Sequence, residues 1–170
     1  KNLKLNSILD VEVTDNVLLN ASINFNVISS HNYAKTLDFL GATSYLDKDY
    51  FSNIDSNIQT PSRIVGEGDI FKYNYNINAL SYNVFVQSQF SYSKIDFYVG
   101  GEFGSTQYQR NGFYADGHFS NKEDLGISSF GKGEKLNFTL LGFKAGGTYK
   151  ITGKHLLDAN VALINTAPSI

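Results

Sequence analysis

The chain has 170 residues, a formal net charge of −2 and 24 aromatic residues (Tyr 11, Phe 13), with no Cys, Met or Trp. So many aromatic residues at so low a net charge exclude a disordered chain, and the near-neutral charge gives no electrostatic reason to expect a nucleic-acid partner. The absence of Cys excludes a disulfide scaffold, a thiolate metal site and a thiol nucleophile.

The first predicted element is a β-hairpin over about residues 2–28. Apolar residues recur at every second position before a turn at Thr14-Asp15-Asn16, and again after it. Asp and Asn favour tight turns because their side chains bond their own backbone. Period-two alternation on both sides of a short turn predicts two antiparallel strands. The apolar positions are Leu3, Leu5, Leu9, Val11, Val13, Val17, Leu19, Ala21, Ile23, Phe25 and Val27.

Two more hairpins are predicted over about residues 71–109 and 136–164. Their short turns lie near Ser93-Lys94 and at Thr152-Gly153-Lys154, and their strands show the same alternation. No stretch has a convincing helical period. The sequence therefore predicts an all-β fold of about six antiparallel up-and-down strands.

The connections between the hairpins are long, at about residues 29–69 and 110–135. A loop of this length is unusual inside a compact soluble domain. Short turns at one rim and long loops at the other are typical of outer-membrane β-barrels. A further hairpin inside residues 29–69 would change the strand count, and Leu37 to Leu46 is its only candidate.

The strands have the length and the polarity of membrane-spanning strands. No window approaches the roughly 18 to 20 apolar residues of a transmembrane helix. A strand of about 12 residues, tilted by about 45°, would span roughly 28 Å. One face carries Asn, Gln, Ser and Gly, as a hydrated barrel interior would, and aromatic residues gather near strand ends. We predict a transmembrane β-barrel in the bacterial outer membrane, with a self-contained soluble barrel or sandwich that acts as a binding module as the alternative.

Six strands are too few to close such a barrel. Bacterial single-chain barrels have at least about eight strands, and an open sheet edge is not viable in hydrocarbon. The chain begins at Lys1 without Met, and it ends Asn165-Thr166-Ala167-Pro168-Ser169-Ile170, which reads as the exit of a strand. We therefore expect a segment of a longer protein.

Several stretches in the second half resemble the barrel of TonB-dependent outer-membrane receptors of the Bacteroidetes. They are Lys94-Ile95-Asp96-Phe97-Tyr98, Tyr108-Gln109-Arg110-Asn111-Gly112, Leu141 to Lys150, Tyr149 to His155, Asp158-Ala159-Asn160 and Thr166-Ala167-Pro168. The resemblance implies a barrel of about 22 strands with an N-terminal plug. It also implies outer-membrane lipid as surroundings and uptake of a scarce siderophore, glycan or peptide, driven by the TonB system. Nothing in the chain matches a plug or a TonB box.

Candidate site residues lie in the long loops. Exposed loop aromatics are costly without a use, and Tyr is a preferred contact for sugars, peptides and chelates. The ligand-contact candidates are Tyr45, Tyr50, Phe51, Phe113, Tyr114 and His118, with packing of loop on loop as the alternative.

Motifs for chemistry are lacking. His31, His118 and His155 are too widely spaced to predict a metal site, and Asp47 with Asp49 lacks the EF-hand spacing for calcium. No phosphate-binding glycine loop, dinucleotide fingerprint or G-x-S-x-G motif occurs. We therefore expect no enzyme, no catalytic residue and no cofactor.

Overall fold

The structure is a computed structural model that describes residues 1–119 and 128–169, so residues 120–127 of the second long connection lie outside it. Its eight strands are β1 Asn2–Thr14, β2 Val17–Lys35, β3 Tyr45–Leu46, β4 Ile64–Val65, β5 Ile70–Ser91, β6 Ile95–Gly112, β7 Gly131–Thr152 and β8 His155–Asn165. The described residues form no α-helix, and accordingly none of them belongs to a helix long and apolar enough to cross a membrane.

Six of the strands form one antiparallel sheet in the order β1-β2-β5-β6-β7-β8. The predicted all-β class and the six antiparallel strands are confirmed. The sheet does not close into a barrel. Strands β3 and β4 pair only with each other, Tyr45 with Val65 and Leu46 with Ile64. The candidate hairpin at Leu37 to Leu46 therefore adds no strand to the main sheet.

Several strands are longer than the alternation predicts. Strand β2 continues through Ser29 and His31 to Lys35. The Ser29 hydroxyl donates to Asn78 Oδ1 at 2.8 Å, and His31 Nε2 lies 2.6 Å from Asn74 Oδ1. Polar side chains pair across the strands here, so the sequence shows no apolar alternation from which this extension of β2 could be predicted.

By their internal contacts the residues divide into two compact units. The first, here called the loop unit, comprises Lys1, Ile28–Ala79 and the described part of Tyr108–Leu136. The second, the hairpin unit, comprises Asn2–Val27, Leu80–Gln107 and the described part of Asn137–Ile170. The hairpin unit contains the three tight turns, and the loop unit contains the two long connections.

The hairpin unit keeps one face of its sheet apolar. The register of β7 and β8 pairs Phe143 with Leu163, Ala145 with Val161 and Tyr149 with Leu157. On the other face it pairs Lys144 with Ala162, Gly146 with Asn160 and Thr148 with Asp158. Side chains that alternate along each strand thus form one apolar and one mainly polar surface, as the period-two pattern predicts.

Polar side chains of the hairpin unit bond one another across strands. Asn20 Nδ2 donates to Asp10 Oδ1 at 2.5 Å, and Gln89 Nε2 donates to Asn20 Oδ1 at 2.7 Å. Further pairs are Asn83 with Glu102, Tyr98 with Asn160, Gln107 with Asn137, Thr148 with Asp158 and Lys150 with Asp96. The polar surface is therefore a ladder of side-chain hydrogen bonds, which orders it without an apolar core.

Buried apolar residues are almost absent. Within the described part of the chain, Val65 and Ala79 are the only buried hydrophobic residues, and both belong to the loop unit. Many large hydrophobic residues of the hairpin unit are exposed, from Leu3 and Leu5 in β1 to Leu163 in β8, and others, such as Phe85 and Phe90, are half-buried. Among the described residues of the hairpin unit, no hydrophobic side chain of the apolar face is buried.

Candidate ligand-binding cavity

The loop unit contains a cavity of about 430 Å³ lined by aromatic and charged side chains. Its aromatic residues are Tyr45, Tyr50, Phe51 and Phe71, and its charged or titratable residues are Asp47, Lys48, Asp49, Lys72, Asp116 and His118. Small-molecule sites are typically concave, largely apolar and of about 300–1,000 Å³. The size and the lining both suit a small ligand or the side chain of a larger one.

The fold brings four of the six sequence-predicted contact residues to this cavity: Tyr45, Tyr50, Phe51 and His118. Tyr114 lies elsewhere, because its hydroxyl accepts a 2.7 Å hydrogen bond from Arg63 Nη1 and donates to the Ile70 carbonyl at 2.9 Å. Phe113 packs edge-on against His31 of β2, with ring centroids 5.7 Å apart.

The aromatic walls consist of two edge-to-face pairs. The ring centroids of Tyr45 and Phe71 are 5.9 Å apart, and those of Tyr50 and Phe51 are also 5.9 Å apart. Tyr50 and Phe51 are 87% and 96% exposed. A ligand that covers these two large rings removes their apolar surface from water, and this burial favours binding.

Asp47 supplies a buried carboxylate to the cavity, and the sequence alone did not single it out as a contact residue. Its side chain is 1% exposed. Oδ1 accepts a 2.9 Å hydrogen bond from the Lys72 backbone N–H. Oδ2 lies 3.8 Å from Arg63 Nη1 and accepts no hydrogen bond from any described residue. A buried carboxylate oxygen without a donor is costly, so this atom favours a further hydrogen-bond donor.

Local backbone pairing places Asp47 there. Asp47 follows directly after β3, and its N–H donates to the Arg63 carbonyl at 2.8 Å next to β4. Its own carbonyl accepts from Ser56 N–H at 3.2 Å. The acidic residue is therefore held at both backbone groups. In the sequence, Asp47 stands directly after the candidate strand segment Leu37 to Leu46, which was the available signal for this residue. Its partner Arg63 could not be identified from the sequence spacing.

A second polar cluster surrounds His118. His118 Nδ1 lies 2.8 Å from Asp116 Oδ1, and Nε2 lies 3.3 Å from Asp49 Oδ2. The hydrogen bond to Asp116, with the charges of Asp116 and Asp49, raises the pKa of His118 above its ordinary value. The hydrogen bond from the Ser52 hydroxyl, followed by those from the Phe51 and Ser52 backbone and from His118, lowers the pKa of Asp49.

Ser52, His118 and Asp116 have the connectivity of a catalytic triad, since Ser52 Oγ lies 3.1 Å from His118 Nε2. The hydroxyl proton of Ser52, however, is donated to Asp49 Oδ2 at 2.5 Å. The backbone N–H groups of Phe51 and Ser52 also donate to the Asp49 carboxylate, at 3.4 and 3.3 Å. Asp49 therefore takes the donors that a nucleophile and an oxyanion hole would need. The cluster suits ionic recognition better than acyl transfer.

Among residues 1–119 and 128–169, no group of three or more His, Asp or Glu side chains is arranged to hold a metal ion.

Comparison with protein-family models, curated protein sequences and solved structures found no match to this chain.

Proposed function

We propose that this chain is a segment of an outer-membrane uptake receptor. The hairpin unit would form part of the lipid-facing barrel wall, and the loop unit would bind the incoming nutrient. The observation that carries the proposal is the bare apolar face of the hairpin unit. None of its described hydrophobic residues is buried, although its strands alternate regularly.

Exposure of this kind is unfavourable in water. Each fully buried Leu, Val, Ile or Phe side chain contributes about 1.5–3 kcal/mol, and soluble monomers rarely leave apolar patches beyond a few hundred Å² uncovered. The hairpin unit exposes Leu3, Leu5, Leu9, Val11, Val13, Ile23, Phe25, Val84, Val86, Ile95, Phe97, Val99, Phe103, Leu141, Phe143, Ile151, Leu157, Val161 and Leu163. Lipid hydrocarbon is a solvent in which this face is favourable.

The polar face supports the same proposal. Charged groups there are compensated inside the sheet, since Lys150 Nζ lies 2.7 Å from Asp96 Oδ2. Lys144 Nζ lies 4.5 Å from the centre of the Phe85 ring. A surface of hydrogen-bonded Asn, Gln, Asp and Lys with small glycines is typical of the hydrated interior of an outer-membrane barrel.

The two edge strands support a larger barrel. Within the part of the chain that the structure describes, strands β1 and β8 each have one neighbour in the sheet, so each leaves one row of backbone groups without a described strand partner. In hydrocarbon those groups must be paired. We therefore infer further strands beside β1 and β8, as in the TonB-dependent receptors that the chain resembles. The ligand class in that family setting is a siderophore, a glycan or a peptide, and TonB drives its uptake.

Membrane fractionation tests the proposal. In cells that produce the full-length protein, we expect it in the outer-membrane fraction, resistant to alkaline carbonate and released only by detergent. Recovery as a soluble monomer without detergent would show that the apolar face is covered in another way, and the proposal would fail.

A further inference from the structure

The cavity of the loop unit carries a more specific inference, which rests on the proposed receptor function. Its starting point is Asp47, whose side chain is almost fully buried and whose Oδ2 accepts no hydrogen bond from the described residues. Arg63 Nη1, at 3.8 Å, is too far to donate a hydrogen bond to this atom. The group that completes the site should therefore bring N–H or O–H donors.

The charges around the cavity favour a cationic donor. Asp47, Asp49 and Asp116 line the cavity together with Lys48 and Lys72. Arg63 Nη1 lies 3.8 Å from Asp47 Oδ2, and the Lys48 ammonium group lies 3.9 Å from Asp55, which does not line the cavity. Four carboxylates therefore face three cations, Lys48, Lys72 and Arg63, whenever His118 is neutral.

The aromatic walls fit the same kind of ligand. A Lys-like ammonium or another cation near the face of a Tyr or Phe ring is attracted by about 0.5–2 kcal/mol. Tyr45 and Phe71 form one edge-to-face pair of rings, and Tyr50 and Phe51 form the other. We propose that the cavity takes its ligand through a primary ammonium group, which donates to Asp47 and lies among these aromatic rings.

His118 is a competitor for this ammonium group that belongs to the protein itself. Its imidazole lies between Asp116 at 2.8 Å and Asp49 at 3.3 Å. When protonated, it supplies the positive charge that these two carboxylates would otherwise receive from the ligand. The other charged groups lining the cavity are Asp47, Lys48 and Lys72. Below about pH 9 a primary amine stays charged, so His118 is the group that changes between mildly acidic and mildly alkaline solution.

The test is a binding titration of the full chain in detergent, in which ligand-observed NMR measures the affinity. Pentylamine is the ligand, and pentanol is its neutral isostere. Nα-acetyl-lysine methylamide distinguishes a peptide side chain from a free amine as the source of the ammonium group. Titrations at about pH 8.5 and about pH 5.5 separate neutral from protonated His118.

The variants are Asp47→Asn, Asp49→Asn and His118→Gln, with Glu67→Gln as the control. Glu67 is an exposed acid of the same unit that does not line the cavity. Asp47→Asn keeps an acceptor for the Lys72 N–H, so slow hydrogen exchange of that amide verifies that the cavity is still folded. If the Lys72 amide loses its protection in Asp47→Asn, Asp49→Asn is the second variant that removes one negative charge from the cavity.

We expect pentylamine to bind at least about tenfold more tightly than pentanol at the higher pH, and to lose affinity at the lower pH. Asp47→Asn should lower its affinity about tenfold, and Glu67→Gln should leave it unchanged. His118→Gln should abolish the pH dependence. Equal binding of pentylamine and pentanol, or equal affinity in Asp47→Asn, Asp49→Asn and Glu67→Gln, would overturn the inference.

Fractionation of the same variants separates the two proposals. A protein that stays in the outer membrane but does not prefer the amine refutes the ammonium inference alone. A protein that binds the amine but is recovered without detergent refutes the receptor function and leaves the cavity assignment standing.

Discussion

The backbone N–H of Lys72 donates a 2.9 Å hydrogen bond to Asp47 Oδ1, and Lys72 itself has a φ of 64°. A positive φ in a residue other than glycine costs roughly 1–3 kcal/mol and persists only where its surroundings hold it. The buried carboxylate thus fixes the backbone at the start of β5, and Asp47 and Lys72 both line the cavity.

Replacing Asp47 by Ala should loosen the start of β5, because the Lys72 N–H loses a charged acceptor worth about 1.5–3 kcal/mol. Amide hydrogen exchange at Lys72 should then accelerate by roughly thirtyfold for a loss of about 2 kcal/mol. Asp47→Asn keeps an acceptor oxygen and should change exchange far less. Similar protection of this amide in the Ala and Asn variants would show that Asp47 does not hold the strained backbone.

The pKa of His118 should lie above the ordinary histidine value when followed by NMR titration. Asp116 contributes the largest effect through its hydrogen bond, and Asp49 contributes a smaller one. Asp116→Asn should therefore lower the pKa of His118 more than Asp49→Asn does. The reverse order would show that Asp49 is the main partner of the imidazole.

His118 and Asp49 set the pH range in which the loop around Ser52 is most stable. The pKa of His118 is raised from 6.5, so its stabilising effect is complete below that pH and disappears as the pH rises through the folded value. The pKa of Asp49 is lowered from 3.8, so its effect is present above that pH and disappears as the pH falls through the folded value. Protection of the Ser52 amide from hydrogen exchange, corrected for intrinsic exchange, should be greatest between the ordinary pKa values of Asp49, 3.8, and His118, 6.5.

Gly146→Ala should destabilise the polar ladder, because a Cβ at residue 146 would lie 2.7 Å from Tyr98 Cε1 and collide with Asn160 Oδ1. The Tyr98 hydroxyl donates to Asn160 Oδ1 at 3.0 Å, and the added methyl group would displace both side chains. We expect a loss of about 1–3 kcal/mol in denaturant unfolding.

The matched control is Gly101→Ala. A Cβ there meets only the Gly142 carbonyl, at 3.8 Å, which is an ordinary contact. This variant should unfold like the unsubstituted protein. Equal destabilisation by the two substitutions would show that any β-carbon at a strand glycine is costly, whatever its neighbours.

Val86→Arg and Gln87→Arg place the same charge on adjacent residues of β5 whose side chains point to opposite faces. If the apolar face contacts lipid, the Val86 variant should lose up to about 4 kcal/mol of folding free energy in phospholipid vesicles. The Gln87 variant should fold nearly normally, because its charge faces the hydrated side. Equal losses for the two variants would contradict a one-sided contact with lipid.

Much of the fold could be predicted from local pattern alone. Side chains in a strand alternate between faces with a period of two, so residues such as Leu3, Leu5 and Val11 identify strands and their apolar side without any knowledge of neighbours. The three tight turns follow from residues such as Asp15, Asn16 and Gly153. Together these signals determined the all-β class and the six antiparallel strands of the main sheet.

Tertiary structure alone decided where the strands end and what the long loops build. The extension of β2 past Ser29 depends on pairs such as His31 with Asn74, which lie 43 residues apart and leave no periodic signal. The cavity depends on Asp49 and Ser52 meeting His118, across separations of 69 and 66 residues. Contacts of that range arise when strand pairing brings the ends of the loops together. The loop aromatics could therefore be named from sequence, but the buried carboxylate beside them could not.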